Sequence, residues 1–335
     1  MTVRERMEQQ EHRILSEYAC FSDFSKGRDH PQPESDTRTC FQRDTDRILH
    51  SKSFRRLMHK TQVFLKPEGD HYRTRLTHTL EVTHIARSIA RGLQLNEDLT
   101  EAMAMGHDLG HTPFGHAGEV ALTEVLGEPF CHNEQSLRVV DVLENNGEGL
   151  NLTYETRMGI LGHTWGARDP ETLEGMVLRY ADRIAYMNHD IDDAMRGNIL
   201  TEEDIPKSVV NVLGQTHSER INTMVEDVIL ASQGNNQITM HAPVEQAMNE
   251  LRQFMFEAVY HNPIAKAEES KGREIIKQLF GFYMKHPEKL PDGYAAQLDF
   301  DGLPRAVCDY IAGMTDKYAI SKFSEIYIPL GWQIR

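Results

Sequence analysis

The 335-residue sequence has only four cysteines, and none of them is spaced as a metal or redox motif requires. Cys20, Cys40, Cys131 and Cys308 contain no C-x-x-C pair, which excludes a zinc knuckle or a dense disulfide framework and fits a reducing compartment. The sequence also has no P-loop, no G-x-G-x-x-G fingerprint and no H-E-x-x-H motif. Three common origins of nucleotide or zinc chemistry are therefore excluded.

Long apolar runs are missing as well. No stretch of about 18 consecutive apolar residues occurs, so no membrane-spanning helix is predicted. The opening residues, MTVRERMEQQEHRILSEY, hold no hydrophobic signal core. We therefore expect a cytoplasmic protein with no membrane partner.

Positive charge is scarce, because 36 Lys and Arg stand against 51 Asp and Glu, a net charge of −15. This balance argues against a general nucleic-acid or membrane-surface binder; single-stranded DNA stays a conceivable partner that the charge does not indicate. One exception is residues 50–66, which hold five basic side chains and no acidic one. Such an island is either a solvated helix face or a site for a small polyanion such as a polyphosphate.

Most of the sequence has helical periodicity, which predicts an all-α fold with at most a small β-hairpin. The predicted helices are 3–18, 41–58, 75–93, 97–110, 116–126, 133–144, 153–163, 171–196, 207–231, 243–260, 263–286 and 301–318. Residues 60–65 are β-prone and end at the turn 67–70, and the tail 323–334 is expected to pair as a strand or cap the core. We expect one continuous domain, with an N-terminal helix and arm (1–40), a catalytic core (41–196) and C-terminal helices (197–335).

The richest stretch is 105–119, MGHDLGHTPFGHAGE, which places three histidines, an aspartate and a glutamate among glycines and apolar residues. Met103, His107 and His111 recur every four residues and are predicted to share one helix face. A second helix can begin after Pro113 and carry His116 and Glu119 on one face. This pattern indicates a metal site with an acid/base pair beside it.

Four side chains could complete a mononuclear metal site, namely His78, His107, Asp108 and Asp182. His78 lies on the apolar face of its predicted helix, and His107 and Asp108 are adjacent. Two imidazoles and two carboxylates suit one divalent Mn, Fe, Co or Ni ion, or Mg with lower affinity. A single buried histidine is more often a hydrogen-bonded core residue, and a single aspartate a cap, so the prediction depends on the set.

The long helix 171–196 adds a polar stripe. Asp182, Tyr186 and Asp190 follow at intervals of four residues, opposite an apolar face, and His189 and Asp193 lie beside them. An exposed acidic face is the simpler interpretation for Asp193. For Tyr186 and Asp190, which lie one and two turns beyond a candidate ligand, we favour a role in lining the substrate site.

The order His78, His107-Asp108, Asp182 resembles the signature of the HD superfamily of metal-dependent phosphohydrolases. The flanking blocks resemble more narrowly the dGTPase-type deoxynucleoside triphosphate triphosphohydrolases, over a match from about residue 12 to 325. These blocks are residues 15–19, 41–57, 60–64, 70–82, 107–119, 132–138, 149–154, 181–190 and 309–318.

The resemblance implies a role for each matching residue. His78, His107, Asp108 and Asp182 would hold the metal, and His116, oriented by Glu119, would act near the α-phosphorus and the 5′-oxygen; whether it serves the water or the leaving oxygen stays open. Phosphate contacts would come from Arg75, His111 and Arg183, with Lys60, Arg55 and Arg56 as weaker candidates. Gln62 and Asp190 would bind the sugar 3′-hydroxyl, and Tyr186 would exclude a 2′-hydroxyl.

The implied activity is metal-dependent hydrolysis of a dNTP, dGTP or several dNTPs, to a deoxynucleoside and triphosphate. The family also implies a homo-oligomer, a hexamer or tetramer, and a possible regulatory nucleotide. One alternative is another HD phosphohydrolase acting on nucleoside monophosphates, cyclic nucleotides or guanosine tetraphosphate. A second is a non-enzymatic nucleotide sensor, against which the complete ligand set and the His/Glu pair argue.

Overall fold

The computed structural model describes residues 1–62, 73–260, 263–295, 298–329 and 331, and most of these residues lie in helices. The helices are α1 (Val3–Ile14), α2 (Cys40–Leu49), α3 (Lys52–Arg56), α4 (Arg75–Gly92), α5 (Glu97–Gly106), α6 (His116–Leu126), α7 (His132–Arg138), α8 (Tyr154–Gly162), α9 (Leu173–Arg196), α10 (Lys207–Leu213), α11 (His217–Ser232), α12 (Ala242–Met255), α13 (Pro263–Lys285), α14 (Asp292–Ala295), α15 (Leu298–Asp301), α16 (Leu303–Ala312) and α17 (Asp316–Tyr327). Single π-turns follow α7 and α12.

The predicted all-α fold class is confirmed, since the described residues contain isolated β-bridges and no strand. The predicted hairpin falls mostly on residues 63–72, which lie outside the described part of the chain. At its base an antiparallel bridge joins Thr61 to Thr74. None of the helices in the described ranges is both long and apolar enough to cross a bilayer.

The centre of the fold is formed by α4, α5 and α9, which pack against one another. Their apolar faces meet at fully buried side chains such as Val82, Leu99 and Ile184, and the cluster continues onto α10, α11 and α12. At about 25 cal/mol per Å² of buried apolar surface, this burial supplies the main stabilisation of the central helices. His78 lies on the buried face of α4, as its spacing from Val82 predicts.

A second apolar cluster joins α6 to α13, α16 and α17. A third joins α3 and the end of α5 to α8 and the π-turn after α7. The loop from His107 to Gly115 runs between α5 and α6, so it is fixed at one end by the first cluster and at the other end by the second. The division of the chain at residues 40 and 196 stays a prediction.

Helix 3–18 ends early, at Ile14, and four further predicted helix boundaries are wrong. Helix 97–110 ends at Gly106, so His107 and His111 lie in the following turns and share no helix face with Met103. Helix 41–58 is interrupted at Ser51, whose side chain accepts the Phe54 N–H and starts α3. Helix 301–318 divides into α16 and α17 at residues 313–315.

The fourth error is the single helix predicted over 207–231. Gly214 has φ +101°, a conformation that an L-residue rarely adopts, and it ends α10. Thr216 then caps α11 with a capping box to Glu219. The described part of the tail 323–334 forms no strand, because α17 continues to Tyr327. Phe323 and Ile326 pack against the second cluster, so this part of the tail caps the core, the other of the two expectations.

Candidate functional site

The loop after α5 brings the predicted site residues together through tight backbone packing. A Cβ added to Gly110 would lie 2.1 Å from the backbone N of Ser136, so this position excludes any side chain. The Ser136 hydroxyl donates to the His107 carbonyl at 2.6 Å and accepts the Gly110 N–H at 2.8 Å. The loop therefore lies directly against α7, and His107 and Asp108 are fixed at the end of α5.

His78, His107, Asp108 and Asp182 converge in a buried cluster from α4, the loop and α9. His78 Nε2 lies 3.2 Å from Asp182 Oδ1 and 4.0 Å from Asp108 Oδ2. His107 Nε2 lies 3.5 Å from Asp108 Oδ1 and 3.8 Å from Asp182 Oδ1. Ligand atoms of His78, His107 and Asp108 all lie within 4.8 Å of one another, which makes this a candidate His/Asp metal site.

The hydrogen bonding of His107 is that expected of a histidine that binds a metal. Its Nδ1 donates to the Ala104 carbonyl at 2.7 Å, because a carbonyl can only accept. The other nitrogen, Nε2, is buried and has no hydrogen-bond partner among the described residues. A hydrogen bond that fixes the proton on one ring nitrogen leaves the other as a lone-pair donor, the usual arrangement around a ligating histidine. The donor set, two imidazoles and two carboxylates, fits a divalent cation.

Glu119 lies on α6 between two imidazoles. His116 Nδ1 is 3.1 Å from Glu119 Oε2, and His132 Nδ1 is 2.8 Å from Oε1. Hydrogen bonding to Glu119 raises the pKa of His116. Burial raises the pKa of Glu119, but hydrogen bonding to His116 and His132 and the charges of His132 and His111 lower it well below 4.5. A charged carboxylate therefore faces the exposed His116, whose side chain is 77% accessible.

Gly115 sets the position at which α6 begins. Its φ is +56°, a region that favours glycine. A Cβ there would lie 3.2 Å from Arg75 Nη2 and 3.8 Å from the Gln62 carbonyl. The turn thus places His116, the first residue of α6, beside the segment that carries Gln62.

His132 and His163 are part of the site and were not assigned a role from the sequence. His132 stacks on His111 with ring centroids 3.9 Å apart, and its Nε2 is 3.3 Å from His163 Nε2. His163 donates Nδ1–H to the Ile160 carbonyl at 2.7 Å and contacts the His107 ring edge-on at 5.0 Å. Burial lowers the pKa of His163 to about 3. The only sequence signal for His132 is its place at the start of a family-like block.

The basic side chains that were predicted to bind the phosphates have different surroundings in the structure. Arg75 Nη1 contacts Asp108 Oδ2 at 3.0 Å, beside the metal cluster. His111 Nε2 lies 3.2 Å from Asp108 Oδ1, and burial together with Arg75 lowers its pKa well below 6.5. Lys60 is fully buried and donates to the His111 and Ala312 carbonyls. Lys60 therefore holds the loop, and Arg56 likewise donates to the Gly313 carbonyl at 2.8 Å.

Arg183 follows Asp182 on α9 and contacts Trp165 and Asn249. Its guanidinium lies 4.7 Å from the centre of the Trp165 ring, and Nη2 donates to Asn249 Oδ1 at 2.8 Å. Burial lowers the pKa of Arg183, and the charge of Arg252 on α12 lowers it further. A bound anion would stabilise both guanidinium groups through charge-assisted hydrogen bonds.

The residues predicted to bind the sugar lie along α9 and at the start of the undescribed segment. Tyr260 donates its hydroxyl to the Asp190 carboxylate, and burial raises the pKa of Asp190 to about 7. Asp190 Oδ1 and Gln62 Oε1 are buried without a hydrogen-bond partner among the described residues. Tyr186 is half-buried one turn before Asp190. Tyr260 joins the site from the π-turn after α12, a contribution that the sequence did not reveal.

The fold and the His/Asp cluster define the class of protein, an all-helical HD-domain protein with a candidate divalent-metal site. A family model described as HD domain matches residues 75–187, and one described as phosphohydrolase-associated domain matches 238–325. Among solved structures, a phosphohydrolase from Bacteroides thetaiotaomicron superposes with a TM-score of 0.53 at 16% identity, over 84% of this chain and 67% of that one. That likeness supports the fold.

Two relatives match nearly the whole chain. A deoxyguanosinetriphosphate triphosphohydrolase-like protein of Caldanaerobacter subterraneus subsp. tengcongensis is 55% identical over 332 residues, covering 99% of this chain and 98% of that protein. Another of the same description, from Desulfatibacillum aliphaticivorans, is 48% identical, covering 98% and 99%. The chain belongs to the HD superfamily of phosphohydrolases, and within it to the dGTPase-type proteins.

Proposed function

We propose that this protein is a metal-dependent triphosphohydrolase that converts a dNTP into a deoxynucleoside and inorganic triphosphate. The observation that carries the proposal is Glu119, which holds His116 at 3.1 Å beside a buried His/Asp cluster. The relatives named as triphosphohydrolase-like support it. A generic HD phosphohydrolase needs the cluster alone, whereas the exposed His/Glu pair adds a proton donor directed at the substrate.

The metal would be held by His78, His107, Asp108 and Asp182. A divalent cation bound there would polarise a phosphoryl oxygen and lower the pKa of a water that attacks phosphorus. Manganese, iron, cobalt, nickel and magnesium are all compatible with this donor set. We expect one ion per subunit.

His116 would give a proton to the 5′-oxygen as the bond between that oxygen and the α-phosphorus breaks. Hydrogen bonding to Glu119 favours the protonated imidazole, and Nε2 is the atom left to donate. A positioned acid of this kind contributes about 10²–10⁴-fold to a rate. Glu119 stays ionised and orients the ring, as the carboxylate does in other His/carboxylate pairs.

The rest of the substrate would extend from this centre in two directions. Arg75, His111 and Arg183 would bind the phosphates, and the closeness of Arg252 to Arg183 suggests that Arg252 joins them. Gln62 and Asp190 have buried oxygens free to accept the 3′-hydroxyl proton. Tyr186 would occupy the space that a 2′-hydroxyl needs, so that ribonucleotides are rejected.

The decisive experiment incubates the purified protein with each dNTP and each rNTP, singly and in mixtures, over a series of divalent metals. Chromatography with phosphate analysis should give deoxynucleoside and triphosphate in equal amounts. Mixtures would reveal activation by a second nucleotide. Release of pyrophosphate and a monophosphate, or no dNTP turnover under any condition, would contradict the proposal and favour the other HD reactions or a sensor.

Two variants sharpen this test. Glu119→Ala should abolish dNTP turnover while metal binding persists, because Glu119 contacts none of the four proposed ligands. Tyr186→Ala should raise turnover of rNTPs relative to dNTPs.

Two further measurements test the proposed partners. Light scattering of the purified protein measures whether it forms the expected tetramer or hexamer. Titration with single-stranded DNA at moderate salt tests whether DNA is a secondary partner.

A further inference from the structure

The segment from Ala312 to Asp316, between α16 and α17, touches two parts of the active site that are remote in sequence. The Ala312 carbonyl accepts from Lys60 Nζ at 3.0 Å, and the same ammonium donates to the His111 carbonyl. The Gly313 carbonyl accepts from Arg56 at 2.8 Å. This segment belongs to the block 309–318, which resembles the family and contains none of the proposed metal or substrate ligands.

Asp316, the first residue of α17, makes the most specific of these contacts. Its Oδ1 accepts the backbone N–H of Phe114 at 3.0 Å. Its Oδ2 accepts the backbone N–H of Thr61 at 3.0 Å and also the Thr61 hydroxyl. The carboxylate is buried, so each oxygen is committed to a different segment of the chain.

The first of these segments ends at the proposed acid. Phe114 has φ +64° and Gly115 has φ +56°, two consecutive left-handed residues immediately before His116. A buried phenylalanine adopts this conformation only where its surroundings impose it. The bond from Asp316 fixes the Phe114 amide and therefore the direction in which α6 begins, which sets the position of His116.

The second segment carries Gln62, the residue after Thr61. The Gln62 carbonyl lies 3.8 Å from the point where a Gly115 Cβ would be. The two segments thus lie side by side, and a single carboxylate sets the distance between them. Among the described residues, none of the hydrogen bonds accepted by Asp316 involves a side chain of the metal cluster.

We infer that Asp316 is a positioning residue for the reaction, which fixes His116 on one side of the substrate and Gln62 on the other. The inference rests on the proposed function for its catalytic consequence. It also explains why the C-terminal block accompanies the metal motif in one chain: the helices of the phosphohydrolase-associated region complete the site that the HD helices begin. Asp316 acts through the backbone N–H groups of Phe114 and Thr61 and through the Thr61 hydroxyl, and it is not one of the proposed metal or substrate ligands.

The test compares Asp316→Ala, which removes both acceptors, with Asp316→Asn, which keeps one carboxamide oxygen. Asp227→Asn is the matched control, because Asp227 also accepts a backbone N–H, that of His241 at 2.8 Å, far from this segment in the chain. Misplacing a reacting group by about 1 Å costs on the order of 10²-fold in rate. We expect kcat to fall by that order in Asp316→Ala and less in Asp316→Asn, with KM changing less than kcat and bound metal unchanged.

Hydrogen exchange provides a readout that is independent of turnover. Peptides covering 111–118 and 58–62 should exchange faster in both Asp316 variants and at the parental rate in Asp227→Asn. A parental kcat in Asp316→Ala, loss of metal together with activity, or exchange that rises over the whole chain would overturn the inference. If the parent hydrolyses no dNTP, the proposed function fails, and local exchange alone then decides whether Asp316 holds the two segments.

Discussion

Glu119 Oε1 lies 2.8 Å from Nδ1 of His132, while the other oxygen of the same carboxylate faces His116. His132 is itself stacked on His111 and contacts His163. The imidazole of His132, with that of His111 at 3.4 Å, therefore supports the Glu119 carboxylate through the oxygen that does not face His116. Without that support Glu119 could rotate, and the ring of His116 would lose its orientation.

His132→Ala is accordingly expected to lower kcat for dNTP hydrolysis by about 10–100-fold, the usual cost of removing a residue that orients a functional group. Steady-state kinetics at saturating metal measures the effect. His286→Ala is the control, since His286 also contacts a glutamate, Glu288 at 3.3 Å, but on the exposed end of α13. An unchanged kcat in His132→Ala would show that Glu119 needs no second partner.

Removal of one proposed ligand should abolish the stabilisation that a bound metal gives to the folded protein. A metal present at 100 times its Kd stabilises a protein by about 2.7 kcal/mol if it binds only the folded state. We expect that increment with Mn²⁺ in the parent protein, its loss on chelation, and its loss in Asp182→Asn. Asp192→Asn, on the same helix but paired with Arg73 and Arg196, should keep it. Equal metal stabilisation in both variants would place the ion elsewhere.

Lys60 gives the protein a specific dependence of stability on pH. Burial, and after it the charge of Arg56, lower the pKa of Lys60 from 10.5 to about 7, against the opposing charges of Asp316 and Asp108. Between these pKa values the unfolded chain holds a proton that the folded protein has released, so raising the pH favours the folded state. The contribution approaches about 1.4 kcal/mol per pH unit between pH 8 and 9.

Urea unfolding of the parent and of Lys60→Met from pH 7 to 9 isolates this contribution. The free energy of unfolding of the parent should rise relative to that of the variant as the pH increases. Parallel curves would mean that Lys60 keeps its proton in the folded protein. The lost bonds to the His111 and Ala312 carbonyls shift the variant's curve without changing the sign of the slope.

Gly110 is the position at which the loop from His107 to Gly115 has least room for an added side chain. A Cβ there would meet the backbone of Ser136 and Gln135 at 2.1 and 2.4 Å, and backbone cannot move aside as a side chain can. Gly110→Ala should destabilise the protein by about 1–3 kcal/mol or more. Gly281→Ala on α13, where a Cβ meets nothing within 4 Å, should stabilise it by about 0.5–1 kcal/mol. Denaturant unfolding compares the two directly.

Helices with a clear start signal could be predicted from the sequence, and those ended by long-range packing could not. The predicted 116–126 matches α6 because Pro113 and Gly115 interrupt the preceding pattern. The break at Gly214 was missed because apolar spacing continues across it, from Leu213 to Met224. In the tail, β-prone Phe323 and Ile326 pack as helix α17 against the cluster of α13 and α16, a tertiary effect that outweighs local propensity.

The four residues of the candidate metal cluster could be predicted together. His107 and Asp108 are adjacent and can face one ion, which limits where the other two ligands, His78 and Asp182, must lie. His132 and His163 could not, since a single histidine in an unremarkable helix carries no signal of its own. Tyr260 and Arg252 come from α12 and the turn after it, which no local pattern links to α9. The direction of Arg183, toward Trp165 and Asn249, likewise depends on packing that the sequence does not encode locally.

The stacking of Arg183 on Trp165 has a practical consequence. Trp165 is one of only two tryptophans in the chain, the other being Trp332. Indole emission responds to a nearby positive charge and to contact with water, and Arg183 follows the proposed ligand Asp182. If the proposed triphosphate draws the guanidinium away from the ring, the intensity and wavelength of the indole emission would change. That change would report nucleotide binding directly, with unlabelled nucleotides and before any bond is broken.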